Sequence, residues 1–302
     1  MRVVFVHGAC VRDGRWWWHP AAEVLRERGI GSVAPALPSC GEGERAAGPD
    51  GPGLADDVAA VRAVLAGSDE PTVVVAHSYG GIVAAEAAAR PQQAADPTDV
   101  AQQAADPVGG AQHAADPTGV AQHAAGPTGV AQQVAGSAGV AGLAAGSAGV
   151  AGQSARLGGV QHLVLVSSYL PEPGESLSAF GAQEPPAYLD FDPVGGTFGA
   201  RPELFAETFA QDCPPELVRG GQARLARQTL TVTQEPVRAA AWRDVPTTYV
   251  VCTEDRGTPA EAQRRFARRA DRVVELRAGH HPFLSQPRAV ADIISGLPGF
   301  AG

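Results

Sequence analysis

No lysine occurs in this sequence: its 23 basic residues are all arginine, set against 32 acidic residues for a formal net charge of −9. An acidic chain of this kind offers no field to hold nucleic acid or an anionic membrane surface, because both need clustered positive charge. Cysteine is also scarce. Cys10, Cys40, Cys213 and Cys252 stand far apart with no C-x-x-C pair, which speaks against a zinc site and against a disulfide framework. No apolar run approaches the length needed to span a bilayer. The opening MRVVFVHG reads as a strand, where a secretory leader would carry an apolar stretch and a small-residue cleavage site. Together these absences predict a cytoplasmic, reduced protein with no nucleic-acid or membrane partner.

What is present is an alternation. Apolar β-branched runs (VVFVH from residue 3, SVAPAL at 32–37, TVVVA at 72–76, HLVLVS at 162–167, TTYVVC at 247–252, RVVEL at 272–276) are separated by helical patterns near 16–28, 54–65, 261–269 and from Pro287 onward. Continuous apolar strands between helices mean βαβ units and a sheet covered on both faces. The fold class predicted is α/β, with a doubly wound, mainly parallel six-stranded sheet formed by residues 1–90 and 158–302 as a single domain.

Two segments interrupt that rhythm. Across 91–157 the chain repeats every ten residues (QQAADPTDVA, QHAADPTGVA, QHAAGPTGVA), with Pro or Ser at the sixth place and almost no bulky apolar residue. Such a unit cannot build the continuous core that repeat folds require, so the segment is expected to be a disordered low-complexity insertion. The second interruption, 171–242, carries Phe180, Tyr188, Phe191, Phe198, Phe205 and Phe209 with short helical patterns. It is expected to form a mostly helical cap over the carboxyl ends of the strands, where open α/β sheets bind ligands.

The chemistry concentrates at those strand ends. Residues 76–80, AHSYG, end a buried strand and begin an alanine-rich helix, a G-x-S-x-G turn with Ala76 in the first place. A turn so tight demands small residues two before and two after the serine, and Ala76 and Gly80 meet that demand. Ser78 then stands at the top of the sheet beside a helix N-terminus. A hydroxyl needs a base, and the base an orienting acid. Past the strand at 247–252 comes Asp255, with Glu254 as its neighbour and competitor; past the strand at 272–276 come His280 and His281. Backbone N–H groups of Tyr79 and of Ala9, in VHGAC, are the expected donors to a developing oxyanion. Cys10 reads as a small buried thiol.

VFVHGAC with the Trp-rich stretch after it, VAHSYGG, LVLVSSYLP, YVVCTEDRGTP and GHHPFLSQP together resemble the α/β-hydrolase superfamily, in the branch of plant methylesterases, hydroxynitrile lyases and actinobacterial hydrolases. The resemblance spans nearly the whole chain outside 91–157. It implies a triad of Ser78, Asp255 and His280 with Ala9 and Tyr79 at the oxyanion hole, since His280 follows the glycine of the family's G-H-x-P-F-L pattern. VRDGRWWWHP is longer than usual for the branch, and Ala36 stands where the branch often has Asp. The activity implied is hydrolysis of a small, largely apolar carboxylic ester through an acyl-enzyme, with no cofactor and no metal. Lactone, amide and C–C bond hydrolysis share the same triad, and a receptor-like protein that binds a ligand on a hydrolase scaffold is the alternative outside enzymes. The lyases of the branch use a cap lysine that this chain does not have, and Ser78 takes the place of the aspartate nucleophile of haloalkane dehalogenases.

Excision of residues 92–155 should therefore leave a folded protein, because Arg90 and Gly159 then join by a connection of ordinary length. Loop entropy grows only logarithmically, so the insertion should cost about 1 to 2 kcal/mol at most. Thermal unfolding and ester turnover beside the parent are the check; a large drop in either contradicts the insertion reading.

Overall fold

The structure, a computed structural model, describes residues 1–90, 159–181 and 185–300. The repeat segment lies outside the described residues. Six parallel strands make the main sheet: β1 (Arg2–Val6), β2 (Ser32–Val33), β3 (Thr72–His77), β4 (Val160–Val166), β8 (Thr247–Cys252) and β9 (Arg272–Leu276), in the order β2-β1-β3-β4-β8-β9. The expected run at 32–37 pairs only over Ser32–Val33. Pro35 and Pro38 follow, and a residue without an N–H cannot extend a ladder.

Period-two alternation divides the core between the faces of this sheet. Val4, Val6, Val74, Ala76, Leu163 and Leu165 pack in one cluster with α2 (Leu54–Ala66), α3 (Gly80–Ala87) and α6 (Ala260–Ala267). Their strand neighbours Val3, Phe5, Val73, Val75, Val164 and Val166 pack in the other, with α1 (Gly14–Glu27), α7 (Pro282–Ser285) and α8 (Pro287–Ser295). In that second layer Trp18 stacks on Phe5 at 4.5 Å between ring centroids and lies 4.0 Å from Phe283. Asp13 caps α1 by accepting from the N–H of Trp16 at 3.3 Å, so the helix begins at Gly14, two residues before the tryptophans announce it. No helix among the described residues is long and apolar enough to cross a membrane.

The cap's regular elements are mostly helical, as expected, with one small sheet added to them. The cap holds the short helices α4 (Pro202–Phe209) and α5 (Pro215–Gln222), and an antiparallel sheet of β5 (Leu189–Asp192), β6 (Thr197–Ala200) and β7 (Gln228–Thr229). The reason for the sheet is local. FDPVGGTF sets a Gly-Gly turn between two phenylalanines, with Gly196 at φ +61°, and Phe191 then faces Phe198 across the hairpin as a stacked pair at 5.8 Å.

The junction between β3 and α3 leaves no room for a side chain. A Cβ on Gly80 would stand 2.6 Å from the carbonyl oxygens of both Val6 and His7, at the end of β1. Smallness at this position thus answers to the neighbouring strand rather than to Ala76. Gly80→Ala should destabilise the fold by roughly 1 to 3 kcal/mol through overpacking against backbone. Urea unfolding should show a lower midpoint with an unchanged m value; an unaltered midpoint would mean that the junction gives way freely.

Candidate active site

Four strand ends converge on one cavity. Ser78 follows β3, the Gly8–Ala9–Cys10 segment follows β1, Asp255 follows β8 and His280 follows β9. Ser78 has φ +51°, a left-handed conformation that costs a non-glycine residue about 1 to 2 kcal/mol and is held by its surroundings. Its carbonyl accepts from Ser168 Oγ at 2.8 Å and from the N–H groups of Gly81 and Tyr169 at 3.1 and 3.3 Å. A Cβ on Gly8 would lie 3.2 Å from the Cβ of Ser78, so the glycine lets the first loop close over the serine. Ser78, His280, Ala9 and Tyr79 all line the cavity. Among the described residues no hydrogen bond joins Ser78 Oγ to His280, a looseness common before a substrate draws such groups together. The N–H groups of Ala9 and Tyr79 likewise have no protein acceptor among the described residues.

The two histidines part company. His280 Nδ1 donates to Asp255 Oδ2 at 2.8 Å, whereas His281 Nδ1 donates to the carbonyl of Phe209 at 2.8 Å and packs on Trp17. The two acids part as well. Glu254 turns outward to Arg277 at 2.6 Å, while Asp255 is buried. Asp255 accepts in addition from the N–H groups of Gly257 and Thr258 at 2.8 and 2.9 Å, from Gln263 Nε2 at 3.0 Å and from Ser167 Oγ. Burial pushes its pKa up, but the His280 imidazole and these hydrogen bonds outweigh burial and hold it below the usual carboxylate value. Burial raises the Cys10 thiol to about 12, which leaves it protonated and a poor nucleophile.

Ser167 and Gln263 were not legible as parts of this site. Ser167 sits directly past β4 at φ +44°, a second left-handed serine at a strand end, and LVLVSSYLP offers that position only in retrospect. Gln263 comes from the first turns of α6, where nothing marks it off from a surface residue. His77 is the third imidazole of the cluster; its Nε2 donates to the carbonyl of His280 at 2.9 Å. Among the described residues His77, His280 and His281 are the group whose ligand atoms lie close enough to share a metal ion, within 4.8 Å of one another. A metal there would compete for the imidazole that stands on Asp255.

Comparisons with known proteins bear on the family and the fold. The family model described as "Alpha/beta hydrolase family" matches residues 3–293. The chain is 26% identical over 148 residues to the alpha/beta hydrolase nvfD of Aspergillus novofumigatus, a match covering 48% of this chain and 59% of that protein. It thus spans about three fifths of the length of the curated relatives it matches, the other being a probable hydrolase, R7, of a Phoma species at 60%. Among solved structures it is similar to a pyrethroid hydrolase from Sphingobium faniae, with TM-score 0.66 and 18% identity over 98% of this chain and 96% of that one. It is similar also to a methylesterase from Arabidopsis, with TM-score 0.60 and 15% identity over 97% of each chain.

The imidazole cluster makes stability depend on pH. Burial first, and then the neighbouring His280, lower the His281 pKa from 6.5 to about 3. Between those values the unfolded chain binds a proton that the folded chain does not, so stability falls as the pH falls, by about 1.4 kcal/mol per pH unit from this one group. His281→Phe should remove that contribution. Urea unfolding of both proteins between pH 6.5 and 5 should show a shallower loss in the variant; parallel curves would contradict the assignment.

Proposed function

Because the chain belongs to the alpha/beta hydrolase family, we propose that it hydrolyses small, largely apolar carboxylic esters through an acyl-enzyme, with Ser78 as nucleophile, His280 as base and Asp255 as its orienting acid. The observation that carries this reading is the makeup of the cavity. Ser78, His280 and the free N–H groups of Ala9 and Tyr79 share a wall with Trp17, Tyr169, Phe198, Phe205 and Phe209, and among the described residues no Asp, Glu or Arg lines it. Such a wall favours a neutral, apolar substrate, since an ionised one would lose its hydration without a partner.

The steps follow from the hydrogen bonds. The Nδ1–H of His280 is given to Asp255, which leaves Nε2 as the base toward the cavity. His280 takes the proton of Ser78 Oγ as that oxygen attacks the acyl carbon, and Asp255 stabilises the imidazolium. The carbonyl oxygen gathers negative charge between the N–H groups of Ala9 and Tyr79. Return of the proton to the alkoxide releases the alcohol, and water attacks the acyl-enzyme by the same route in reverse.

Ser78→Ala and His280→Ala should each lose several orders of magnitude in turnover of nitrophenyl esters while folding normally, because a triad acts as a unit. Asp255→Asn should be severe but milder. Replacing His281, which stands on a backbone carbonyl, should cost far less than replacing His280. Retention of more than a few per cent of activity in Ser78→Ala would refute the assignment, and a worse effect at His281 would name a different base.

A further inference from the structure

One layer behind the cavity wall lies a second buried carboxyl that the proposed chemistry does not use. Asp57, on α2, has no exposed surface. Its Oδ2 accepts from the Tyr79 hydroxyl at 2.8 Å and from Ser39 Oγ at 2.5 Å, and its Oδ1 accepts from the N–H of Ser39 at 2.9 Å. The chain of bonds continues. Gln228 Nε2, on cap strand β7, donates to Ser39 Oγ at 2.8 Å, and Gln228 Oε1 accepts from the N–H of Cys10 at 3.0 Å. The carbonyl of Cys10 is held in turn by the N–H of Ala226 at 2.9 Å.

The two ends of this chain are the two segments that carry the expected oxyanion donors. Tyr79 supplies one donor from its own backbone, and its side chain ends on Asp57. The peptide between Ala9 and Cys10 adjoins the other donor, and its N–H ends on Gln228. We propose that Asp57 is a positioning residue, which through Ser39 and Gln228 locks the Ala9 and Tyr79 N–H groups in register with each other. This inference rests on the serine-hydrolase reading above.

Direction is what makes the lock specific to a carboxylate. A carboxylate only accepts, so the Ser39 hydroxyl must point its hydrogen at Asp57. Its lone pair is then free for Gln228 Nε2, which turns Oε1 toward the N–H of Cys10. An asparagine at 57 breaks this pattern in either orientation. With its NH₂ toward the hydroxyls, the Ser39 hydrogen loses its acceptor, or Ser39 turns that hydrogen to Gln228 and flips the amide, which sets two donors against each other at Cys10. With its NH₂ the other way, donor faces donor at the N–H of Ser39. Protonation of Asp57 likewise adds a donor where only an acceptor fits. The titratable groups facing Asp57 are the Tyr79 hydroxyl, the Cys40 thiol and the His7 imidazole, with Glu42 beyond the thiol. Burial holds Tyr79 and Cys40 well above their ordinary values, so both stay neutral. Burial raises Asp57 itself to about 6 against the opposing pull of its Ser39 and Tyr79 hydrogen bonds.

The test is steady-state kinetics on a nitrophenyl ester with Asp57→Asn and Gln228→Met, the latter removing the bonds of Gln228 to Ser39 and to Cys10 at near-constant volume while leaving those of Asp57 to Ser39 and Tyr79 in place. Donors that are loosened but present stabilise the transition state less and leave ground-state binding alone. Both variants should therefore lose roughly 10-fold to 100-fold in kcat with little change in KM, less than the ~10²-fold to 10³-fold of deleting a donor outright. Below about pH 6, the kcat of the parent should fall more steeply with acid than that of Asp57→Asn, which lacks the titrating group. Unchanged kcat in both variants, or a rise in KM alone, would overturn the positioning role, and if Asp57→Asn does not fold, Gln228→Met decides. Ser78→Ala run alongside separates the layers of the argument. Full turnover there would overturn the hydrolase reading and this inference with it, while an inactive Ser78→Ala beside unaltered Asp57→Asn and Gln228→Met would overturn this inference alone.

Discussion

Backbone approaches backbone at Ser78 so closely that side chains are excluded, and the cavity depends on that exclusion. Gly80 is pressed against the carbonyls ending β1, and a Cβ on Gly81 would lie 2.2 Å from the carbonyl of Tyr169, just past β4. Gly8 closes from the other side. The strand pairings β1·β3 and β3·β4 fix these ends in register up to Ala76 and His77. The left-handed backbone of Ser78 is therefore maintained by the sheet on both flanks, and its strain is offset by cooperative pairing elsewhere. Small residues here are a condition of geometry, and the place of Ser78 on the cavity wall follows from it.

Two buried carboxyls show how the surroundings set the charge. Asp255 meets an imidazole, an amide, a hydroxyl and two backbone N–H groups, and its pKa falls below the ordinary value although it is buried. Asp57 meets two hydroxyls and one N–H, and burial prevails, raising it to about 6. The difference lies in how many donors face the charged form and in the presence of a group that can carry a positive charge. One acid is thereby held ionised beside an imidazole, and the other is raised toward neutrality.

The main sheet was legible because its strands are covered on both faces and so read as unbroken apolar runs, and because turns of chemistry-bearing residues follow them at the same edge. Ser78, Asp255 and His280 each stand out in the sequence by their place after a strand, and in the structure His280 Nδ1 lies 2.8 Å from Asp255 Oδ2. Elements set by tertiary partners were not visible. β2 stops at Val33 because of the prolines beyond it, and the β5–β6 hairpin was hidden in a segment whose aromatic content suggested only burial. Ser167, Gln263 and the Asp57 network were beyond reach for a related reason. Hydrogen bonds between residues as distant as Cys10 and Gln228, 218 positions apart, leave no local pattern.

The central claim is that Ser78 is the nucleophile of an ester hydrolase. Its most direct measurement is reaction with a fluorophosphonate, followed by peptide mass mapping and by residual turnover of a nitrophenyl ester. One adduct per chain is expected, on Ser78, with turnover lost in proportion to labelling. An adduct confined to another residue, or full turnover by protein labelled at Ser78, would contradict it.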